Sequence, residues 1–279
     1  MEKKPDFVKV WFIFDPKKDD IVAQEAIVRA VADLTHAAGL RLAVHATRLA
    51  AAKAALRAKA DILVHSVDDA PLDDEFIALA RERHVLYTPT LIMPGAYARS
   101  LLNQWHATDA ERALGDPKAV HDLEAGVVPE GAVSEAARAR LETRRKPLPF
   151  AVENVRRARD AGITITVGTD AGNIGTMHGP SVFTEMVAMA DAGLSPAEVL
   201  TAATSNGAAY VGKPADLGDV AAGKLADLVI LDADPLASVA NWSRTYRVLK
   251  GGHVFDPRDP LPAGSTSTGA KLAEVSSGD

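Results

Sequence analysis

Gly162–Gly172, GITITVGTDAG, is the stretch whose reading decides the fold. Four β-favouring residues, Ile163 to Thr166, run into Val167-Gly168-Thr169 and then an aspartate, and Gly172 breaks the segment. The pattern predicts a short buried parallel strand whose C-terminal end presents Asp170. Two earlier segments share the design. Arg41–His45 (RLAVH) and Asp61–His65 (DILVH) are apolar runs that each end on a histidine. A fourth, Phe7–Phe14 (FVKVWFIF), is a strongly apolar strand with Lys9 in its middle.

Between these strands lie helical patterns. Ile21–Ala38 carries apolar residues at helical spacing and meets a natural stop at Gly39; Arg48–Lys59, Asp73–Arg83 and Ala151–Ala161 are the next three. Val85–Thr90 is a further strand. Helices are expected over Val182–Ala192 and, behind a Ser195-Pro196 cap, over Ala197–Ala203. Strands alternating with helices indicate βα units on a parallel sheet, and right-handed crossovers put every strand's C-terminal end on one face. Lys9, His45, His65 and Asp170 are therefore expected to share that face. Met93–Phe150, with scattered Gly and Pro, is a long insertion of the kind that forms functional lids.

The texture changes after Gly212. Asp219-Val220, Ala226–Leu231 and Arg247–Phe255, separated by turns, predict short antiparallel strands of a small β module. The division expected is residues 1–211 for the α/β part, 212–256 for the β module, and a disordered Pro/Gly/Ser/Thr-rich tail over 257–279.

The chain has 279 residues, 47% hydrophobic, a formal net charge of −6 and no cysteine. Such a composition supports a full core and excludes disulfides and thiol catalysis. An acidic balance without a Lys/Arg stripe argues against nucleic acid or an anionic membrane as partner, and Arg138–Lys146 reads as a solvated helix face. No apolar run reaches transmembrane length and no signal peptide begins at Met1; the compartment stays open, the cytoplasm being only the default, since any signal would be expected upstream of the segments read here.

A lysine among Phe, Val and Trp costs several kcal/mol to bury charged unless it is paired or neutralised, though its stem can instead snorkel to water. Two histidines, a lysine and an aspartate at separate strand ends could bind a divalent metal through N and O ligands. Taken singly, each histidine reads as a half-buried structural residue. His178, eight residues after Asp170, either contacts substrate or caps the helix behind Pro180. Tyr97, at the head of the insertion, is a candidate pocket residue. His36, His84, His106, His121 and His253 read as surface histidines, and Ser205-Asn206-Gly207 as a helix cap rather than a nucleophile.

At these residues the sequence resembles the amidohydrolase superfamily, in particular its imidazolonepropionase-like and prolidase-like members. The matching pieces are PDFVKVWF, LAVHA, DILVHS, TPTL, GITITVGTDAG, HGPSVFTEM, AGLSPAEVLTAATSNGAAYVG and GDVAAGKLADLVILDADPL, and they span about Asp6 to Phe255. The resemblance implies a (β/α)8 barrel with metals at the strand ends. In it Lys9 matches a carboxylated bridging lysine, His45 and His65 match metal ligands, and Asp170 matches a ligand that takes the proton from the attacking water. The implied reaction is metal-assisted hydrolysis of a C–N bond in a peptide, cyclic amide or related small molecule, with one or two ions, zinc favoured. One element departs. The family's first strand carries an HxH pair, and no HxH occurs in this sequence. The expected architecture is thus a partial TIM-type barrel, equivalent to strands four to eight, with a small β-sandwich remnant. Its open edges call for a homo-oligomer or a complementing chain. The rival expectation is an inactive or assembly-dependent partial barrel that needs the HxH half in trans.

Overall fold

The structure, a computed structural model, describes residues 5–126, 128–129, 131–146 and 148–257. Five parallel strands form one sheet in sequential order: β1 (Phe7–Trp11), β2 (Arg41–His45), β3 (Ile62–Val64), β4 (Leu86–Thr88) and β5 (Thr164–Ile165). Helices α1 (Ile21–Ala37), α2 (Leu49–Arg57) and α3 (Asp74–Glu82) fill the first three crossovers. The long fourth crossover holds α4 (Met93–Leu101), α5 (Asp109–Leu114), α6 (Pro117–Ala125), α7 (Glu135–Thr143) and α8 (Pro149–Asp160). After β5 come α9 (Ser181–Asp191), α10 (Pro196–Ala203) and α11 (Ser205–Tyr210).

Local sequence sets these boundaries. Asp20 caps α1, its carboxylate accepting from the amides of Val22 and Ala23, and Gly39 follows the helix at φ 71°. Ser195 and Glu198 close a reciprocal capping box on α10. No residue of α7 is buried, which agrees with a solvated basic face.

Alternation along the strands gives the sheet two unlike faces. Val8, Val10, Leu42, Val44, Leu63, Tyr87 and Ile165 face the helices and join the main core, with Leu56, Phe76, Met186 and Met189. Ala43, Ile62, Val64 and Leu86 form a much smaller cluster on the other face, against Phe7 and Tyr210. That second face is where the strand ends converge.

The C-terminal module is a three-stranded antiparallel sheet, β6 (Leu228–Leu231), β7 (Thr245–Lys250) and β8 (His253–Phe255), with Gly251-Gly252 at the hairpin. Val239, between β6 and β7, is buried in the main core and anchors the module to it.

Several expectations are corrected. Asp219-Val220 is not a strand: Asp219 is drawn into bonds with Lys224 and Ser205. Strands end earlier than their apolar runs, β1 at Trp11 rather than Phe14. Ser205 does not cap α11; its hydroxyl bonds the Gly218 carbonyl and Asp219, while Asn206 donates to the Ile165 carbonyl of β5 at 2.8 Å. His36 is not a plain surface residue, since its Nε2 lies 2.8 Å from Asp61 Oδ2. The expected tail lies, apart from Pro257, outside the described residues.

Asp61 Oδ2 also accepts from the amide of fully buried Leu42 at 2.7 Å, tying the start of β2 to β3. Asp61→Ala would strand that buried N–H, and a loss of about 1–3 kcal/mol is expected from urea unfolding. His36→Ala, which leaves the Leu42 bond intact, should cost less.

Candidate active site at the strand ends

Parallel register brings the candidates together. Trp11 stands opposite His45, His45 opposite Val64, and Val64 opposite Thr88. Hydrogen bonding continues past the strands, with the Phe12 amide donating to His45 O and the His65 amide to Thr88 O.

Strict alternation would send His65 to the helix side, after Leu63. It does not go there. His65 adopts φ 74°, and its ring meets that of His45 edge to face, with centroids 4.6 Å apart. Thr90 and Asp170 are also left-handed, at φ 48° and 53°. A β-branched residue in that region is a genuine outlier, and such outliers cluster where the chain must aim a functional group. Gly168 allows the approach of the β5 turn to β4: a Cβ there would lie 2.4 Å from Thr88 Cγ2.

His65 is held from the loop after β4 and Asp170 from its own turn. His65 Nδ1 sits 2.6 Å from Thr90 Oγ1, so its Nε2 is the nitrogen left to face the site. Asn173 Nδ2 donates to Asp170 Oδ2 at 3.2 Å, and Thr176 Oγ1 to the Asp170 carbonyl at 3.0 Å. Oδ1 of Asp170 accepts no hydrogen bond among the described residues.

Electrostatics keep both imidazoles neutral at pH 7. Burial lowers the His45 pKa and the Lys9 charge lowers it further, against an upward pull from Asp170. For His65 burial again leads, followed by His45, and the value falls to about 4 although Asp170 opposes the shift. Lys9 and Asp170 thus lie within Coulombic reach of both rings.

Lys9 itself is exposed, not buried. β1 is the outer strand of the sheet, and nothing among the described residues covers it on that side. The desolvation cost expected for this lysine does not arise, and burial gives no argument for its carboxylation. His178 is exposed and packs on the Asp170 turn, where a Cβ on Gly172 would lie 3.3 Å from its Nε2. Tyr97 is 38% exposed on α4. Neither hydrogen-bonds to His45, His65 or Asp170 among the described residues.

Two neutral imidazoles with an aspartate opposite are donor chemistry suited to a divalent metal. Among the described residues, however, no three His, Asp or Glu side chains gather closely enough to form a metal-binding group. The pair is assembled and the third donor is not.

Sequence reasoning missed two residues. Thr90 lies in the quoted TPTL, and its signal would have been a polar residue just beyond a strand that faces His65. Glu185 lies in HGPSVFTEM and is fully buried on α9. Its oxygens accept from the Leu91 and Ile92 amides, and burial lifts its carboxyl to about 7 against the pull of those two donors.

Comparison with known proteins bears on the family and the fold. Residues 3–254 match the amidohydrolase family. An imidazolonepropionase from Salinispora tropica is 42% identical over 90 residues, 32% of this chain and 21% of that protein. One from Syntrophobacter fumaroxidans is 34% identical over 144 residues, 50% of this chain and 32% of that protein. A prolidase-like structure from Bifidobacterium longum superposes with a TM-score of 0.67 at 26% identity, covering 94% of this chain and 58% of that one. The chain therefore spans little more than half of that structure, and its alignments cover a third or less of those two imidazolonepropionases.

The lowered His65 pKa carries a pH signature. The unfolded chain takes up a proton near the ordinary value of 6.5 that the folded ring refuses until about 4. This residue's contribution is therefore intact above 6.5 and lost as pH falls through that window. Ring-resolved NMR should show the His65 midpoint near 4, and His65→Gln should flatten the loss of stability between those two values.

Proposed function

Because the chain belongs to the amidohydrolase family, we propose that it carries the Lys9–His45–His65–Asp170 part of a metal-dependent site that hydrolyses a C–N bond. The substrate class is a small amide, a peptide such as a dipeptide, or a cyclic amide. A divalent ion, zinc in the first instance, supplies when bound the Lewis acidity that activates water and polarises a carbonyl. His45 and His65 would hold it, since both rings are kept neutral and one is pinned through Nδ1. Asp170 lies within Coulombic reach of both rings, its Oδ1 accepting no hydrogen bond among the described residues, and acts as the general base that takes the proton from water. The Lys9 charge lies within Coulombic reach of both rings, and on the family pattern Lys9 serves as a further ligand once carboxylated. Tyr97 and His178 line the approach on the substrate side. The observation that carries the reading is the edge-to-face pairing of two neutral imidazoles from two separate strand ends, with Asp170 at a third within Coulombic reach and both His65 and Asp170 left-handed.

A second reading has its own support. The sheet is open among the described residues, and its two outer sides are apolar. Trp11 and Ile13 beside β1 are 72% and 65% exposed. On α1, Ala23, Ala26, Ile27, Ala30 and Leu34 form an exposed stripe at helical spacing. A groove of about 310 Å³ runs along the free side of β5, lined by Ile163, Ile165, Leu194 and Ala202. We infer that this is a partial (β/α)8 barrel whose edges are covered by further βα units, which would also bring the missing donor, or by a second copy. On this reading residues 1–211 and 212–256 act as barrel portion and accessory module.

Hydrolysis of X-Pro dipeptides and cyclic amides, followed by ninhydrin or ultraviolet absorbance, tests the first reading. Asp170→Asn and His45→Ala should each lower the rate by about 10²–10⁴-fold; an unchanged rate would overturn it. The second is tested by mass in solution. The wild type should run above the 29.4 kDa of one chain, and Ile27→Asp with Leu34→Lys should shift it towards that mass. A wild type that stays at one chain across concentrations would contradict coverage by a second copy.

A further inference from the structure

Glu185 is fully buried, and among the described residues no lysine, arginine or histidine pairs with it. A buried carboxylate without a cation is costly unless its oxygens are well used. Here each oxygen takes one amide: Oε1 accepts from Leu91 at 2.8 Å and Oε2 from Ile92 at 3.0 Å. Those amides directly follow Thr90, the β-branched residue held at φ 48°. Thr90 in turn meets His65 Nδ1 through its hydroxyl at 2.6 Å. The chain of contacts runs from α9, across the β4–α4 loop, to one ring nitrogen of the site.

We propose that Glu185 is a positioning residue that fixes the orientation and tautomer of His65 by holding Thr90 in its left-handed conformation. The inference rests on reading His65 as a site residue, but not on any bound metal. Its rival is a purely local role. Ile92 is the N-cap of α4 and makes no side-chain cap bond, so Glu185 could merely satisfy the free amides at that helix start. The two roles differ in what reaches His65. A glutamine has one acceptor oxygen and turns its NH2 towards the second amide, so Glu185→Gln breaks one bond while keeping the shape.

Long-range proton–nitrogen NMR at pH 7, where His65 is neutral, reads the tautomer directly, and amide exchange reads the loop. The wild type should show one His65 tautomer and slowly exchanging Leu91 and Ile92 amides. Glu185→Gln should give a mixture of both tautomers and speed exchange at those amides by about tenfold or more. Faster exchange with the single tautomer retained would reduce Glu185 to a helix cap and overturn the proposal, as would no change in either. Should Glu185→Gln fail to fold, Thr90→Ala decides. It leaves both Glu185 bonds in place and should by itself mix the His65 tautomers; a single tautomer there would break the link. A protein that binds no metal would defeat the hydrolase reading and leave these results standing.

Discussion

Everything at the strand ends depends on the register of the parallel sheet. Pairing Trp11 with His45, and His45 with Val64, puts the last residue of β2 beside the first residue after β3. A slip of one residue would send every side chain of a strand to its opposite face and bury His45 among the helices. The register is in turn secured by the asymmetry of the two faces. Leu42, Val44, Leu63 and Tyr87 must reach the helix-side core, so Ala43, Ile62 and Val64 cannot. Burial of one face thereby aims the chemistry of the other.

Register alone does not finish the site. The period-two rule fails at His65, whose ring joins His45 only because its backbone crosses into the left-handed region. Thr90 and Asp170 do the same at neighbouring strand ends. Such conformations cost of order 1–3 kcal/mol each and persist where surrounding structure enforces them. The enforcing contacts are on hand: Asn173 and Thr176 on Asp170, and Glu185 on the loop beyond Thr90. The loops and α9 therefore add, to the aim that the register sets, the final placement of His65 and Asp170.

Much of this was legible in the sequence. The runs RLAVH and DILVH announced strands that end on histidines, and the Gly-rich GTDAG announced the turn that carries Asp170. The five-unit order, the caps at Gly39 and Ser195, and the Gly251-Gly252 hairpin all follow from local pattern. What escaped was long-range. Nothing near Glu185 in sequence reveals that its partners lie at Leu91 and Ile92. The apolar neighbours of Lys9 leave burial and snorkelling both open; it sits on an outer strand, and exposure there depends on what else packs against β1. The Asp61–His36 pair escaped for the same reason as Glu185: its partners are distant in the chain.

The open sides of the sheet and the incomplete donor set are two faces of one constraint. Among the described residues a five-stranded sheet presents two imidazoles and an aspartate but no third donor at ligand distance, and it leaves apolar surface on α1 and beside β5. The central claim is that the His45–His65 pair, with Asp170, is a divalent-metal site. Cobalt(II) titration followed by visible absorption tests it most directly. The account expects d–d bands that saturate with added cobalt and vanish in His45→Ala and His65→Ala; a wild type indistinguishable from those variants would contradict it.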